Sequence, residues 1–164
     1  LDFLHHGRSL GDGLFAPNHH GTDDGVIEAE DGFALVEGAS IEARMTPGGV
    51  TISAHTNGLT GGNAYTLWSV SFSHPEHCTH GSGGRLCGPG DDGPGPQGFA
   101  FQQAGGNVAG ASGNLTISGH VIVENATGAE YHIVVADHGP LDPSALPDQI
   151  MSPAPGVQIG FLVP

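Results

Sequence analysis

Five histidines stand where their side chains could meet a metal ion. His74, His77 and His80 repeat at three-residue spacing, while His132 and His138 share one parity of a later apolar stretch, with Glu130 two residues before His132. Neutral imidazole is a good donor for Cu(II), Zn(II) and Ni(II). If the loop carrying the first three curls, two or three of these five are expected to converge on Cu or Zn. The competing reading leaves them as solvated or singly hydrogen-bonded imidazoles. Cys78 and Cys87, the only two cysteines of the chain, bracket a Gly-rich stretch too short for another element. A disulfide between them is predicted, in preference to a free or metal-bound pair. Closing a loop of about ten residues removes about 2.5–3 kcal/mol of unfolded-chain entropy, and it would hold the flanking histidines in place. Asp91-Asp92 is a weaker candidate for Ca, because the spaced Asp/Asn pattern of an EF-hand loop is missing. Solvated loop carboxylates are the preferred reading of that pair.

Motifs argue against an enzyme. The chain holds no G-x-S-x-G, H-E-x-x-H, C-x-x-C or phosphate-cradling loop, and paired cysteines are not nucleophiles. Ser71, His132 and Asp137 have the types of a hydrolytic triad, but adjacent parity puts the last two on opposite faces of a strand. A metal-dependent oxidoreductase is kept as a second alternative.

Charge narrows the partners. Lysine is absent, three arginines face 17 carboxylates, and the formal charge is −14. Such a surface repels nucleic acid phosphates and anionic lipid. Protonating all 11 histidines would bring −14 to −3, so repulsion between copies falls as pH drops through about 6.5. No apolar run approaches the roughly 20 residues of a membrane span. The expected disulfide points to a secreted or extracytoplasmic setting, in the periplasm or at the cell surface. Residues 1–14 lack the basic and apolar regions of a signal peptide, so the chain reads as a mature one.

These residues need elements to position them, and the 29 glycines and 12 prolines favour short strands with tight turns. Residues 1–24 read as a His/Gly-rich N-terminal arm with an internal echo, His5-His6-Gly7 and His19-His20-Gly21. Its Phe3, Leu4, Leu14 and Phe15 are apolar enough to lie on the domain or on a neighbouring copy. Residues 25–164 read as one domain. Val26 to Glu30 and Phe33 to Glu37 form a hairpin about Asp31-Gly32; Ile41 to Met45 and Val50 to Ala54 form another about Pro47-Gly48-Gly49. The central strand, Ala64 to Phe72, is expected to bury Thr66, Trp68 and Val70, with Trp68 as core anchor, and Pro75 ends it. Phe99 and Phe101 mark a short strand before a Gly-rich turn at 105–113. Leu115 to Val123 then pairs with Tyr131 to Asp137, Ser144 to Ile150 makes one helical turn, and the last strand points Val157, Ile159, Phe161 and Val163 inward. About eight or nine strands without a long helix predict an all-β, single-domain fold, a Greek-key-type β-sandwich or barrel.

The pieces GGNAYTLWSVSFSHPEHC, CG and ATGAEYHIVVADHGP resemble a family of secreted bacterial all-β proteins to which no function is assigned. Those proteins pair an AYTLW strand and a Cys-containing loop with a later GAE-x-H strand ending in His-Gly. The resemblance spans roughly residues 57–140 and transfers no functional residue. A looser similarity to Greek-key copper domains rests on fold class, and the His-x-His strand ligands of superoxide dismutase are absent. Asn114 and Asn125 begin glycosylation sequons. The sequence therefore predicts a secreted, non-enzymatic domain that binds a transition metal through loop histidines. The alternative is a structural subunit of an extracellular filament or matrix, a homo-oligomer joined through its arm or its terminal strand.

Overall fold

A computed structural model describes residues 13–17, 33–82 and 84–164 of the chain. Among them nine strands form two antiparallel sheets that pack as a sandwich. The smaller sheet is β3 (Ser40–Thr46), β4 (Gly49–Thr56) and β7 (Leu115–Val121), in that spatial order. The larger runs β2 (Phe33–Leu35), β1 (Phe15–Pro17), β9 (Gly156–Leu162), β8 (Glu130–Pro140), β5 (Asn63–Phe72) and β6 (Phe99–Val108). The β3–β4 hairpin follows the alternation: Ile41, Ala43, Val50, Ile52 and Ala54 are buried, and Gly48 turns the chain at φ +85°, where a side chain would be strained.

Between the sheets, Ile41, Val50, Ile52, Leu115, Ile117 and Val121 meet Tyr65, Leu67, Tyr131, Ile133, Val135 and Leu162. This reverses the expected orientation of the central strand. The core takes the Tyr65 and Leu67 parity, and Trp68 and Val70 lie half-buried on the outer face of the larger sheet. Trp68 is not a core anchor; its indole stacks on Phe101 with ring centroids 4.7 Å apart and donates to Thr66 Oγ1 at 2.8 Å. The last strand shows the same reversal. Leu162 joins the core and Gln158 accepts from Thr56 between the sheets, whereas Ile159 and Phe161 share the outer face with Trp68 and Val70.

Three connections also differ from expectation. β2 pairs with β1, and residues 26–30, its expected partner, lie outside the described residues. β7 and β8 belong to different sheets, so residues 122–129 cross the sandwich instead of closing a hairpin. Asn125 turns there at φ 47°, with Ala126 and Ala129 buried. β6 runs on through Gly105-Gly106 to Val108, with a register shift opposite Leu67/Trp68. Those glycines let it lie against β7: a Cβ on Gly105 would stand 2.4 Å from the Ser118 carbonyl oxygen, and one on Gly119 1.4 Å from that of Ala104. Leu14, assigned to the arm, is fully buried in the core, and Phe15 is a strand residue paired with Leu35 and Ile159. Leu14 is thus part of the core and Phe15 part of the larger sheet, while Phe3 and Leu4 lie outside the described residues. The expected helical turn is present as Pro143–Ala145 and α1, Asp148–Met151.

One face of the larger sheet is thus given over to the core. Across the other, register sets Leu35, Phe15, Ile159, Val134, Trp68 and Gln103 in one row, and Phe161, His132, Val70 and Phe101 in the next.

Candidate functional site

The chain that leaves β5 at Phe72 returns as β6 at Phe99, and it folds back over one end of that outer face. Its base is closed by Ser73 and His74 amides donating to the Gly98 and Gln97 carbonyls, at 3.2 and 3.0 Å. Pro75–His77 forms a 3-10 turn, since proline fixes its first φ and the His77 amide donates to the His74 carbonyl at 3.0 Å. The Cys78–Cys87 disulfide is present, with Cα atoms 5.1 Å apart.

Two buried carboxylates hold the rest of this loop. Asp91, on the turn Pro89–Asp91, accepts from the amides of Thr79 (2.9 Å), His80 (3.0 Å) and Gly88 (3.0 Å), and His80 Nδ1 lies 3.1 Å from Oδ1. Burial by itself would raise the Asp91 pKa, but the amides and the His80 ring outweigh it and hold the carboxyl well below its ordinary range. Glu130, fully buried at the start of β8, accepts from the Leu86 amide at 2.8 Å and the Cys87 amide at 3.1 Å, with His132 Nε2 2.7 Å away. His132 in turn lies edge-on to Phe72 and Phe161 at 5.3 and 4.8 Å, and the Arg85 guanidinium stands 4.6 Å above the Phe161 ring. Hydrogen bonds to charged acceptors are worth about 1.5–3 kcal/mol each. The five amides on Asp91 and Glu130 therefore outweigh the disulfide's about 2.5–3 kcal/mol in holding the loop.

Asp91 is thereby corrected from a solvated loop carboxylate to a structural one, 7% exposed. Its cradle consists of N–H donors, which suit an anion and oppose the oxygen shell that Ca requires. Asp92 remains exposed, and its pKa is raised by partial burial and by neighbouring Asp91, with His132 acting in the opposite sense.

The candidate ligands separate into four places. His74 and His77 stand together on the 3-10 turn, ring centroids 6.3 Å apart, with Glu76 Oε1 3.3 Å from His74 Nδ1 and 3.9 Å from His77 Nε2. His80 faces away to Asp91. His132 is enclosed beneath the loop at 7% exposure, deeper than its half-apolar neighbours imply. His138 bonds Thr66 Oγ1 at 2.7 Å, toward the other end of the sheet; the six residue steps along β5 from Thr66 to Phe72 put about 20 Å between it and the loop. The five do not converge. Ser71 faces the core and His132 the outer sheet face, so the triad geometry is absent too.

Sequence reasoning passed over Glu76 and the clamping role of Asp91 and Glu130. Glu76 had a signal, its place inside His-Pro-Glu-His. Glu130 had another: an acid opening a strand apolar on both sides must find donors or neutralise. Among the described residues, one group of three or more metal-ligating side chains brings its donor atoms within 4.8 Å of one another: Cys78, Cys87 and Asp91. Its sulfurs are joined to each other in the disulfide. Comparison with protein-family models, curated proteins and solved structures finds no match to this chain.

The Asp91 cradle predicts a pH-dependent stability. A folded-state pKa below the unfolded value of about 3.9 stabilises the fold above that pH, and this is lost as pH falls below it. Asp91→Asn is expected to cost about 1.5–3 kcal/mol at neutral pH in urea unfolding, and the gap to the parent protein should close between pH about 5 and 2. A gap independent of pH would show that the carboxylate charge plays no part in holding the loop.

Proposed function

We propose that this chain is an extracytoplasmic β-sandwich that binds a divalent transition metal, Cu(II) or Zn(II), at the turn formed by His74, Glu76 and His77. The observation that carries the reading is the placement of Glu76 Oε1 between the two imidazoles, at 3.3 and 3.9 Å. Two imidazoles and a carboxylate are a donor set that both ions accept. All three side chains are exposed enough to turn toward a common ion, at 44%, 60% and 54% of their surface. The backbone beneath them is fixed by Pro75, by the loop base and by Cys78, which lowers the entropy lost when they close on it. The disulfide fits an extracytoplasmic location, and no helix among the described residues is long and apolar enough to cross a membrane.

Assembly of copies is the second reading, favoured by the outer sheet face. Phe101 and Leu35 are 55% and 57% exposed there, beside half-buried Trp68, Val70 and Val134. No strand position on that face exposes an acid among the described residues, so it is where two copies of a −14 chain meet with least repulsion. The occupant is a second copy. Lending the terminal strand is less suited to this fold, because β9 is paired on both sides within its own chain.

Calorimetric titration of the oxidised protein is expected to show one Zn(II) or Cu(II) per chain. His74→Ala and His77→Ala should each weaken it by at least about tenfold without moving the unfolding midpoint, and His138→Ala should leave it unchanged. Unaltered binding in the His74→Ala/His77→Ala double variant would rule the turn out. For assembly, sedimentation should show an oligomer that Phe101→Asp dissociates; a parent protein monomeric at every concentration would end that reading.

A further inference from the structure

We propose that the disulfide loop holds a second, thiol-dependent metal site formed by Cys78, Cys87, Asp91 and His80, closed to metal while the disulfide stands and opened by its reduction. It shares no ligand with the turn of His74, Glu76 and His77 and does not depend on it. The two sulfurs and an Asp91 carboxylate oxygen already lie within 4.8 Å of one another, and His80 Nδ1 is 3.1 Å from Asp91 Oδ1. The two sulfurs and the carboxylate are the gathered donors; His80, exposed and bonded to that carboxylate, is the side chain that would turn in as the fourth, completing a set that Zn(II) takes tetrahedrally.

The site does not rely on the S–S bond to stay assembled. Asp91 is kept in position by the Thr79, His80 and Gly88 amides. Cys87 is held through its own amide by Glu130, and Cys78 through its amide on the Pro75 carbonyl. Opening the disulfide therefore leaves both sulfurs beside the same carboxylate. His80 is exposed and provides the open side through which an ion can arrive. Cys87 and Asp91 are buried and form the floor.

The electron balance is that of thiol–disulfide exchange. A dithiol reductant gives two electrons and two protons, its own sulfurs join as a disulfide, and Cys78 and Cys87 become thiols. Metal binding then displaces the two thiol protons to solvent.

Cobalt(II) titration of the full chain, oxidised and after treatment with a water-soluble phosphine, tests this directly. The phosphine is oxidised to its oxide with oxygen from water, leaving both cysteines as thiols. The reduced protein is expected to develop a thiolate-to-cobalt charge-transfer band in the near ultraviolet that saturates at one equivalent and is bleached by Zn(II); the oxidised protein shows none. The His74→Ala/His77→Ala variant should keep the band, which separates this site from the turn. His80→Ala and Asp91→Asn should each weaken cobalt binding by at least about tenfold. Because Asp91→Asn also removes a loop anchor, His80→Ala carries the test if that variant unfolds, with Trp68 fluorescence as the check on folding. A reduced protein without the band, or one whose cobalt affinity is untouched by His80→Ala, overturns the proposal.

Discussion

The Glu130 carboxylate, with none of its surface open to solvent, is the constraint that the loop side of this molecule is built around. An ionised group so enclosed is costly unless its lone pairs are taken up, and the fold meets that cost by bringing the Leu86 and Cys87 amides down onto it. That single requirement folds the loop back over the sheet, encloses His132 between Phe72 and Phe161, and fixes where Cys87 must be. The disulfide and the Asp91 cradle then join the two limbs of the same loop. Each amide bond to a charged acceptor is worth about 1.5–3 kcal/mol, so the five on Glu130 and Asp91 exceed the covalent bridge together, and the disulfide reinforces a geometry that the carboxylates impose.

Function follows from that order of causes. The loop is anchored by hydrogen bonds where it touches the sheet, which gives His74, Glu76 and His77 a turn to stand on and leaves His80 beside Asp91. Two donor sets of different softness thus sit on one scaffold: nitrogen and oxygen on the exposed turn, sulfur within the loop. Among the described residues, the strand positions on the other half of the outer face expose no acid, and the rows running from Leu35 to Gln103 and from Phe161 to Phe101 are the surface on which the proposed assembly rests.

Much of this was legible in the residues, and what was not has physical reasons. Alternation located the strands, Gly48 the β3–β4 turn, and the Cys78–Cys87 spacing the bridge. The parity of β5 was misread because its outer-facing set, Ala64, Thr66, Trp68, Val70 and Phe72, is the more apolar, while the core-facing set carries Ser69 and Ser71: a strand inside a six-stranded sheet is buried on both sides, and Trp68 favours the wrong one. What decides the question is which face the three-stranded sheet covers, a fact held in β3, β4 and β7 and not in β5 itself. The β7–β8 connection was misread as a hairpin for a related reason, since two neighbouring apolar runs look alike whether they pair or cross between sheets. The histidines shared a spacing but not a destination. Their separation into four places depends on the turn at Pro75, on Asp91 and on Glu130, whose roles lie in backbone amides that a residue pattern does not display.

Buried carboxylates, ahead of the disulfide, hold the loop, and amide hydrogen exchange at Leu86 and Cys87 measures this most directly. With the disulfide reduced, these two amides should still exchange as slowly as those of the loop base, and Glu130→Gln should speed both while leaving the β3–β4 hairpin protected. If reduction alone brings them to the rate of exposed peptide, the covalent bridge holds the loop and the carboxylates do not.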